Sequence, residues 1–176
     1  MNHEIEAKIK IVALDPVAEK LKQFEAKFLH DVLQTDTYFM DTNKLLREND
    51  CDLRIRREII GNEFSALITF KGPQADGKFK NRAEYETAIA DAEIGMKIFE
   101  SLGYHKTIVI EKKRTMWLLD GCEVCLDELP ELGCFVEIEG PDEDIISGVL
   151  KKLGLHNEPH ISHGYAAMMS RKLKQE

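Results

Sequence analysis

His3-Glu4-Ile5-Glu6-Ala7-Lys8-Ile9-Lys10-Ile11 opens the chain and sets how the rest is read. Taken with a period of two, the stretch is a β-strand with Ile5, Ala7, Ile9 and Ile11 on one face. The opposite face carries Glu4, Glu6, Lys8 and Lys10, so both signs of charge fall within one strand. A half-buried strand with a solvated outer face would look the same. What separates the readings is that strand after strand downstream repeats this arrangement.

The 176 residues predict one domain over 1–176, long enough to bury a core. A net charge of −8 argues against a mainly electrostatic binder of nucleic acid or anionic membrane, while leaving room for a local basic pocket. No long apolar run, signal-peptide core or lipidation motif is present, so a cytoplasmic protein is expected. Cys122-x-x-Cys125 invites a zinc or redox reading. Asp120-Gly121, however, reads as a hairpin turn, and positions three apart on the following strand point to opposite faces. These thiols are expected to be structural.

Asp15-Pro16 predicts a capped helix start, with Val17, Leu21, Phe24 and Phe28 at helical spacing. Gln34–Phe39 reads as a second strand, followed by a polar loop. Leu53-Arg54-Ile55-Arg56 is the next strand; Gly61-Asn62 turns it into Phe64–Phe70, which breaks at Lys71-Gly72-Pro73. Pairing across that turn sets Arg54 opposite Thr69 and places Arg54, Arg56 and Lys71 on one face. Arg82, Glu84 and Glu86 share a face of a further strand. Asp91 caps a helix bearing Ile94, Ile98, Phe99 and Leu102. In Thr107–Leu119, Lys112 and Arg114 share a face, and the Asp120-Gly121 turn sets Arg114 opposite Asp127. Cys134–Glu139 alternates Val136 and Ile138 with Glu137 and Glu139. A third helix opens at Pro141-Asp142, and a short C-terminal helix carries Tyr165, Met168 and Met169.

About eight antiparallel strands with separate helices predict an α+β fold, and eight is a number at which a sheet closes into a small barrel. On an open sheet the charged face is ordinary surface, with ion pairs contributing about 0–1 kcal/mol each. On a closed one it becomes an interior, costly to desolvate unless its charges are paired or bind a charged ligand. Glu4, Glu6, Glu137 and Glu139 lie on the first and last strands, with Asp127 on the strand pairing with the latter. Such hard oxygens suit Mg²⁺ or Mn²⁺. Lys8, Arg54, Arg56, Lys71, Arg82, Lys112 and Arg114 come from several strands and suit phosphate oxygens. Together they describe a polyphosphate site, and no Walker A loop or kinase signature offers another.

At these residues the chain resembles the CYTH family, the triphosphate tunnel metalloenzymes. The family's E-x-E-x-K is Glu4-x-Glu6-x-Lys8. Leu53-Arg54-Ile55-Arg56, Thr69-Phe70-Lys71-Gly72-Pro73, Arg82-x-Glu84-x-Glu86, Glu111-Lys112-x-Arg114, Leu126-Asp127 and Glu137-Ile138-Glu139 follow in family order. The resemblance implies a closed eight-stranded antiparallel β-barrel, the triphosphate tunnel, with helices packed outside. It implies Mg²⁺ or Mn²⁺ on Glu4, Glu6, Asp127, Glu137 and Glu139, and a triphosphate on Lys8, Arg54, Arg56, Lys71, Arg82, Lys112 and Arg114, with Glu84 and Glu86 also lining the tunnel. Glu4, Glu6 and Lys8 are the implied catalytic set, Lys8 positioning a phosphate or serving as a base.

Gln34–Phe39 and Leu132-Gly133-x-Phe135-Val136-Glu137-Ile138-Glu139 resemble the class IV adenylyl cyclase branch, which makes cyclic AMP and pyrophosphate from ATP and often forms dimers. Gly164-Tyr165 departs from the Ser-Tyr pair common there. A triphosphatase acting on tripolyphosphate or thiamine triphosphate needs nearly the same charges and stands as the alternative. A non-catalytic polyphosphate or nucleotide sensor is disfavoured by the full acidic set, and a plain solvated sheet by the recurrence of both signs in family order.

Overall fold

Alternation of apolar and charged residues along the chain builds eight strands: β1 (Asn2–Ile11), β2 (Lys27–Asp41), β3 (Asp52–Ile60), β4 (Glu63–Ala75), β5 (Lys80–Ala88), β6 (Tyr104–Leu119), β7 (Cys122–Leu129) and β8 (Gly133–Gly140). The structure, a computed structural model, describes residues 2–75 and 77–174, with backbone alone at 2–4. The strands close in the order β1-β5-β4-β3-β2-β6-β7-β8, every neighbour antiparallel. First and last strands are therefore joined, with Glu6 opposite Glu139 and Lys8 opposite Glu137. The hairpin registers follow the turns: Ile60 pairs with Glu63 and Arg54 with Thr69, while Leu119 pairs with Cys122 and Arg114 with Asp127. At the second hairpin Asp120 and Gly121 both hold positive φ, 52° and 80°, as a tight twisted turn demands.

The apolar faces point outward beneath helices α1 (Asp15–Gln23), α3 (Ala92–Ser101) and α4 (Glu143–Lys152). Ala7, Ile9, Val124, Leu126, Val136 and Ile138 are buried under Val17 and Leu21 of α1 and Ile146, Val149 and Leu150 of α4. Each such side chain contributes about 1.5–3 kcal/mol by leaving water. Helix α3 covers Phe39, Leu53 and Ile55 on the other side. A short helix α2 (Leu45–Glu48) sits in the loop read as polar, its first amides, Leu45 N–H and Leu46 N–H, donating to the Asp41 carboxylate.

Several local expectations shift. Leu14, not Asp15, is the N-cap of α1, and no side chain caps it; Pro16 lies in the first turn. The helix stops at Phe24, and Phe28 belongs to β2, where its ring meets Trp117 edge-on at 5.4 Å. Strand β4 runs on past Lys71 because a register shift between Lys71 and Gln74 absorbs Gly72-Pro73. Helix α3 is turned from part of the expected face: Ile94, Ile98 and Leu102 are 51%, 52% and 68% exposed, whereas Phe99 packs edge-on against Phe39 and Gly95 and Met96 face the barrel. A Cβ on Gly95 would stand 2.8 Å from Ile89 Cδ1, so the missing side chain lets the helix axis come close. Asp91 and Asp142 cap α3 and α4 through Ile94 N–H and Ile145 N–H, as their sequence context predicts.

The last helix, α5 (Tyr165–Lys172), makes the barrel a cup. Tyr165 and Met169 pack with Tyr38, Ile110, Leu129 and Phe135 and close one end with an apolar floor. The approach is pinned by Ile161 N–H donating to the Lys8 carbonyl at 2.8 Å.

Candidate active site

Strand pleating sends every second residue inward, and those inward positions are the charged ones. They line a cavity of about 1070 Å³ that includes Glu6, Lys8, Arg54, Arg56, Lys71, Glu84, Glu86, Lys112, Arg114, Glu137 and Glu139. Eleven of the residues expected at the site thus come together around one volume. Arg82 and Asp127 are buried in the wall. Arg82 donates to Asp50 at 2.8 Å and Asp52 at 3.2 Å. Asp127, 0% exposed, accepts two bonds from Arg114 (2.7 and 2.6 Å) and one from the Tyr165 hydroxyl (2.8 Å), with Lys112 Nζ at 3.5 Å. Its oxygens are occupied as a strut. The Glu4 backbone stands opposite Arg82, and its side chain lies outside the described residues.

Four residues that the sequence reading did not assign organise the basic wall. Asp36, buried in β2, takes Arg56 bidentately at 2.6 and 2.8 Å and Arg54 at 3.3 Å. Thr69 donates to Glu86 at 2.8 Å. Gln34 donates to Glu58 at 2.6 Å. Tyr165 sits under two ammonium groups, Lys8 Nζ at 4.3 Å and Lys112 Nζ at 5.0 Å from its ring centre. Alternation along Gln34-x-Asp36-x-Tyr38 could have flagged the first; Tyr165 was marked only as the second member of the Gly164-Tyr165 pair.

Lys8 bridges the acidic side. Its Nζ lies 3.1 Å from Glu6 Oε1 and 2.9 Å from Glu137 Oε1, and Arg114 also donates to Glu137. Burial opposes the charge on Lys8, but Glu137 and Glu6 outweigh it and raise its pKa. Burial likewise opposes ionised Glu137, yet Lys8, Arg114 and Lys112 hold it well below the usual carboxylate range. Asp36 is depressed by Arg54 and Arg56 against its own burial. Lys112 differs: burial, then repulsion from Arg114, exceeds the pull of Asp127 and Glu137 and lowers it to about 8. The cup is thus held charged, with one cation close to losing its proton.

The donor set for a metal is made of carboxylates. Among the described residues no three or more His, Cys, Asp or Glu side chains are grouped so that they could hold a metal ion as they stand. Glu6, Glu137 and Glu139 are nevertheless neighbours in register, and Glu6 Oε1 is buried without a directed hydrogen bond despite its 3.1 Å approach to Lys8. A buried carboxylate oxygen held by Coulomb attraction alone, among other hard donors, fits Mg²⁺ or Mn²⁺. On the opposite wall the buried Arg54 Nε also lacks a hydrogen-bond partner, which fits an anion. Cys122 and Cys125 are free and face opposite sides, with burial raising their thiols to about 11 and about 12. Neither is a nucleophile or a metal ligand at neutral pH.

The CYTH domain description matches residues 2–165. The chain belongs to the CYTH family. A Methanocaldococcus jannaschii protein named "Putative adenylate cyclase" is 38% identical over 142 residues, covering 81% of this chain and 79% of the relative. The PH1819 protein of Pyrococcus horikoshii superposes with a TM-score of 0.84 at 25% identity, over 96% of this chain and 99% of that one. A Hippeastrum protein described as a "Putative adenylyl cyclase" that reveals a dominant triphosphatase activity shares the barrel, with a TM-score of 0.72 at 17% identity over 98% and 96% of the two chains. No described helix of this CYTH chain is long and apolar enough to cross a membrane.

Proposed function

We propose that this CYTH chain is a metal-dependent enzyme acting on a triphosphate in the cup, and that its reaction converts ATP to 3′,5′-cyclic AMP and pyrophosphate. The observation that carries the reading is the convergence of Arg54, Arg56, Lys71, Lys112 and Arg114, from three strands, on one cavity with carboxylates opposite. Its volume of about 1070 Å³ exceeds what a bare tripolyphosphate needs and suits a nucleotide-sized ligand. Ile60, Leu67, Tyr85 and Met116 also line it, giving an organic group apolar surface. The M. jannaschii relative's name points the same way.

The floor at Tyr165 closes one end, so the substrate enters from the open mouth; Lys8 and Lys112, over the Tyr165 ring, draw the terminal phosphate inward and leave the nucleoside toward the mouth. Arg54 and Arg56, held by Asp36, and Arg114, held by Asp127, present rigid forks to the phosphate oxygens. Lys112 and Lys71 add point charges. In the step, the ribose 3′-oxygen bonds to the α-phosphorus, the bond from that phosphorus to the α,β-bridging oxygen breaks, and the hydroxyl proton passes to water. The cationic wall then stabilises the charge gathering on pyrophosphate. Glu6, Glu137 and Glu139, with Glu4, would hold the divalent ion, which supplies a positive centre to the reacting oxygens.

Hydrolysis is the second reading, favoured by the activity described for the Hippeastrum protein. Ion-exchange analysis of products from ATP, tripolyphosphate and thiamine triphosphate with Mg²⁺ or Mn²⁺ separates them. Cyclic AMP with equimolar pyrophosphate is expected. Orthophosphate without cyclic nucleotide would replace the cyclase with a triphosphatase.

A further inference from the structure

We propose that Lys8 is the built-in counter-ion of the metal site: its ammonium holds Glu6 and Glu137 together while the cup is empty, and moves onto a phosphate when a divalent cation takes its place. This rests on the metal reading given above and adds an order to binding.

Two adjacent buried carboxylates cannot stand uncompensated, because the cost of an unpaired buried charge is several kcal/mol. In the empty cup the ammonium shared by both is Lys8, 2.9 Å from one and 3.1 Å from the other with a side chain only 2% exposed, while Lys80 lies 3.6 Å from Glu6 and Arg114 donates to Glu137. The contact with Glu6 lacks hydrogen-bond direction, so it is Coulombic and makes no geometric demand that another cation could not meet. A divalent ion on the same oxygens would sit within about 4 Å of the ammonium, a repulsion worth several kcal/mol even at an effective dielectric near 20. Both cannot stay.

Lys8 has somewhere to go. Its head already lies 4.3 Å from the face of Tyr165, and the triphosphate is expected between this acidic side and the Arg54–Arg56 wall. A four-carbon stem carrying a compact ammonium can swing by this much, where a guanidinium fork fixed by two bonds could not. Metal alone should therefore bind weakly, since it must expel a paired lysine into a cationic cup. Metal with triphosphate should bind well, because the displaced ammonium gains a phosphate partner.

The test is Mn²⁺ binding to the full chain without nucleotide, read as free Mn²⁺ by electron paramagnetic resonance. Wild type is compared with Lys8→Gln and Lys8→Met, each checked for folding by circular dichroism. Removing the ammonium should tighten Mn²⁺ by about tenfold or more. Wild type that binds Mn²⁺ while folded variants bind no tighter would overturn the role of Lys8 and leave the metal site standing. No Mn²⁺ bound by any of them, with or without tripolyphosphate, would overturn the metal reading and this inference with it. Should neither variant fold, wild type labelled with ¹⁵N at lysine decides: the protected Lys8 ammonium resonance should lose protection at saturating Mg²⁺, and an unchanged resonance would refute the exchange.

Discussion

Replacing Asp36 by Asn tests whether the basic wall is held by a strut the sequence did not reveal. Asp36 is 1% exposed and is the main partner of Arg56, at 2.6 and 2.8 Å, and of Arg54, at 3.3 Å. Without its charge, two buried guanidiniums are left with Glu84 at 3.9 Å and Glu58 at 4.0 Å. Breaking a buried pair costs about 3–5 kcal/mol; an amide oxygen still accepts one bond, so about 3 kcal/mol is expected here. For a chain of this length that lowers Tm by about 6–12 °C. Chemical and thermal denaturation with and without tripolyphosphate is the assay, and the ligand should restore part of the loss because phosphate oxygens supply the missing negative charge. The pH dependence has a fixed sign. The folded-state pKa of Asp36 is depressed by Arg54 and Arg56, so its stabilisation is present above the unfolded value of 3.8 and is lost as pH falls through the lower folded value. The gap between wild type and Asp36→Asn should stay constant above about pH 4 and shrink below it. A loss under 1 kcal/mol at neutral pH, or no narrowing in acid, would refute the strut.

Lys112 is lowered to about 8 in the empty cup, and a bound triphosphate favours its charged form. Triphosphate affinity should fall as pH rises above 8, with proton uptake on binding seen by calorimetry in buffers of different ionisation enthalpy, and Lys112→Met should flatten both. Its folded pKa lies below the unfolded 10.5, so its cost to stability is full below pH 8 and is relieved between 8 and 10.5. Tyr165→Phe keeps the floor packed but removes the hydroxyl donated to Asp127 at 2.8 Å. Urea denaturation should show a loss of about 1.5–3 kcal/mol, as for hydrogen bonds to charged groups.

The barrel was legible because its signals are local. Hairpin turns at Gly61-Asn62 and Asp120-Gly121 fixed two registers to the residue, and period-two alternation separated the charged face from the apolar one. What escaped was nonlocal. Asp36 meets Arg54 and Arg56 through the β2–β3 pairing, which no tight turn announces. Tyr165 reaches Asp127 from 38 residues away through a terminal helix. The Asp127 carboxylate was grouped with metal ligands by its motif, while the structure surrounds it with Arg114, Lys112 and Tyr165. Helix α3 carried apolar residues on two faces, and only the close approach at Gly95 selects which one packs.

Isothermal titration of the chain with α,β-methylene ATP and Mg²⁺ tests the central claim most directly, since this analogue cannot release pyrophosphate by the proposed step. One site per chain is expected, weakened at least tenfold by Arg56→Ala, with loss of a bidentate charged contact. No saturable binding, or binding that Arg56→Ala leaves unchanged, would contradict a triphosphate site in the cup.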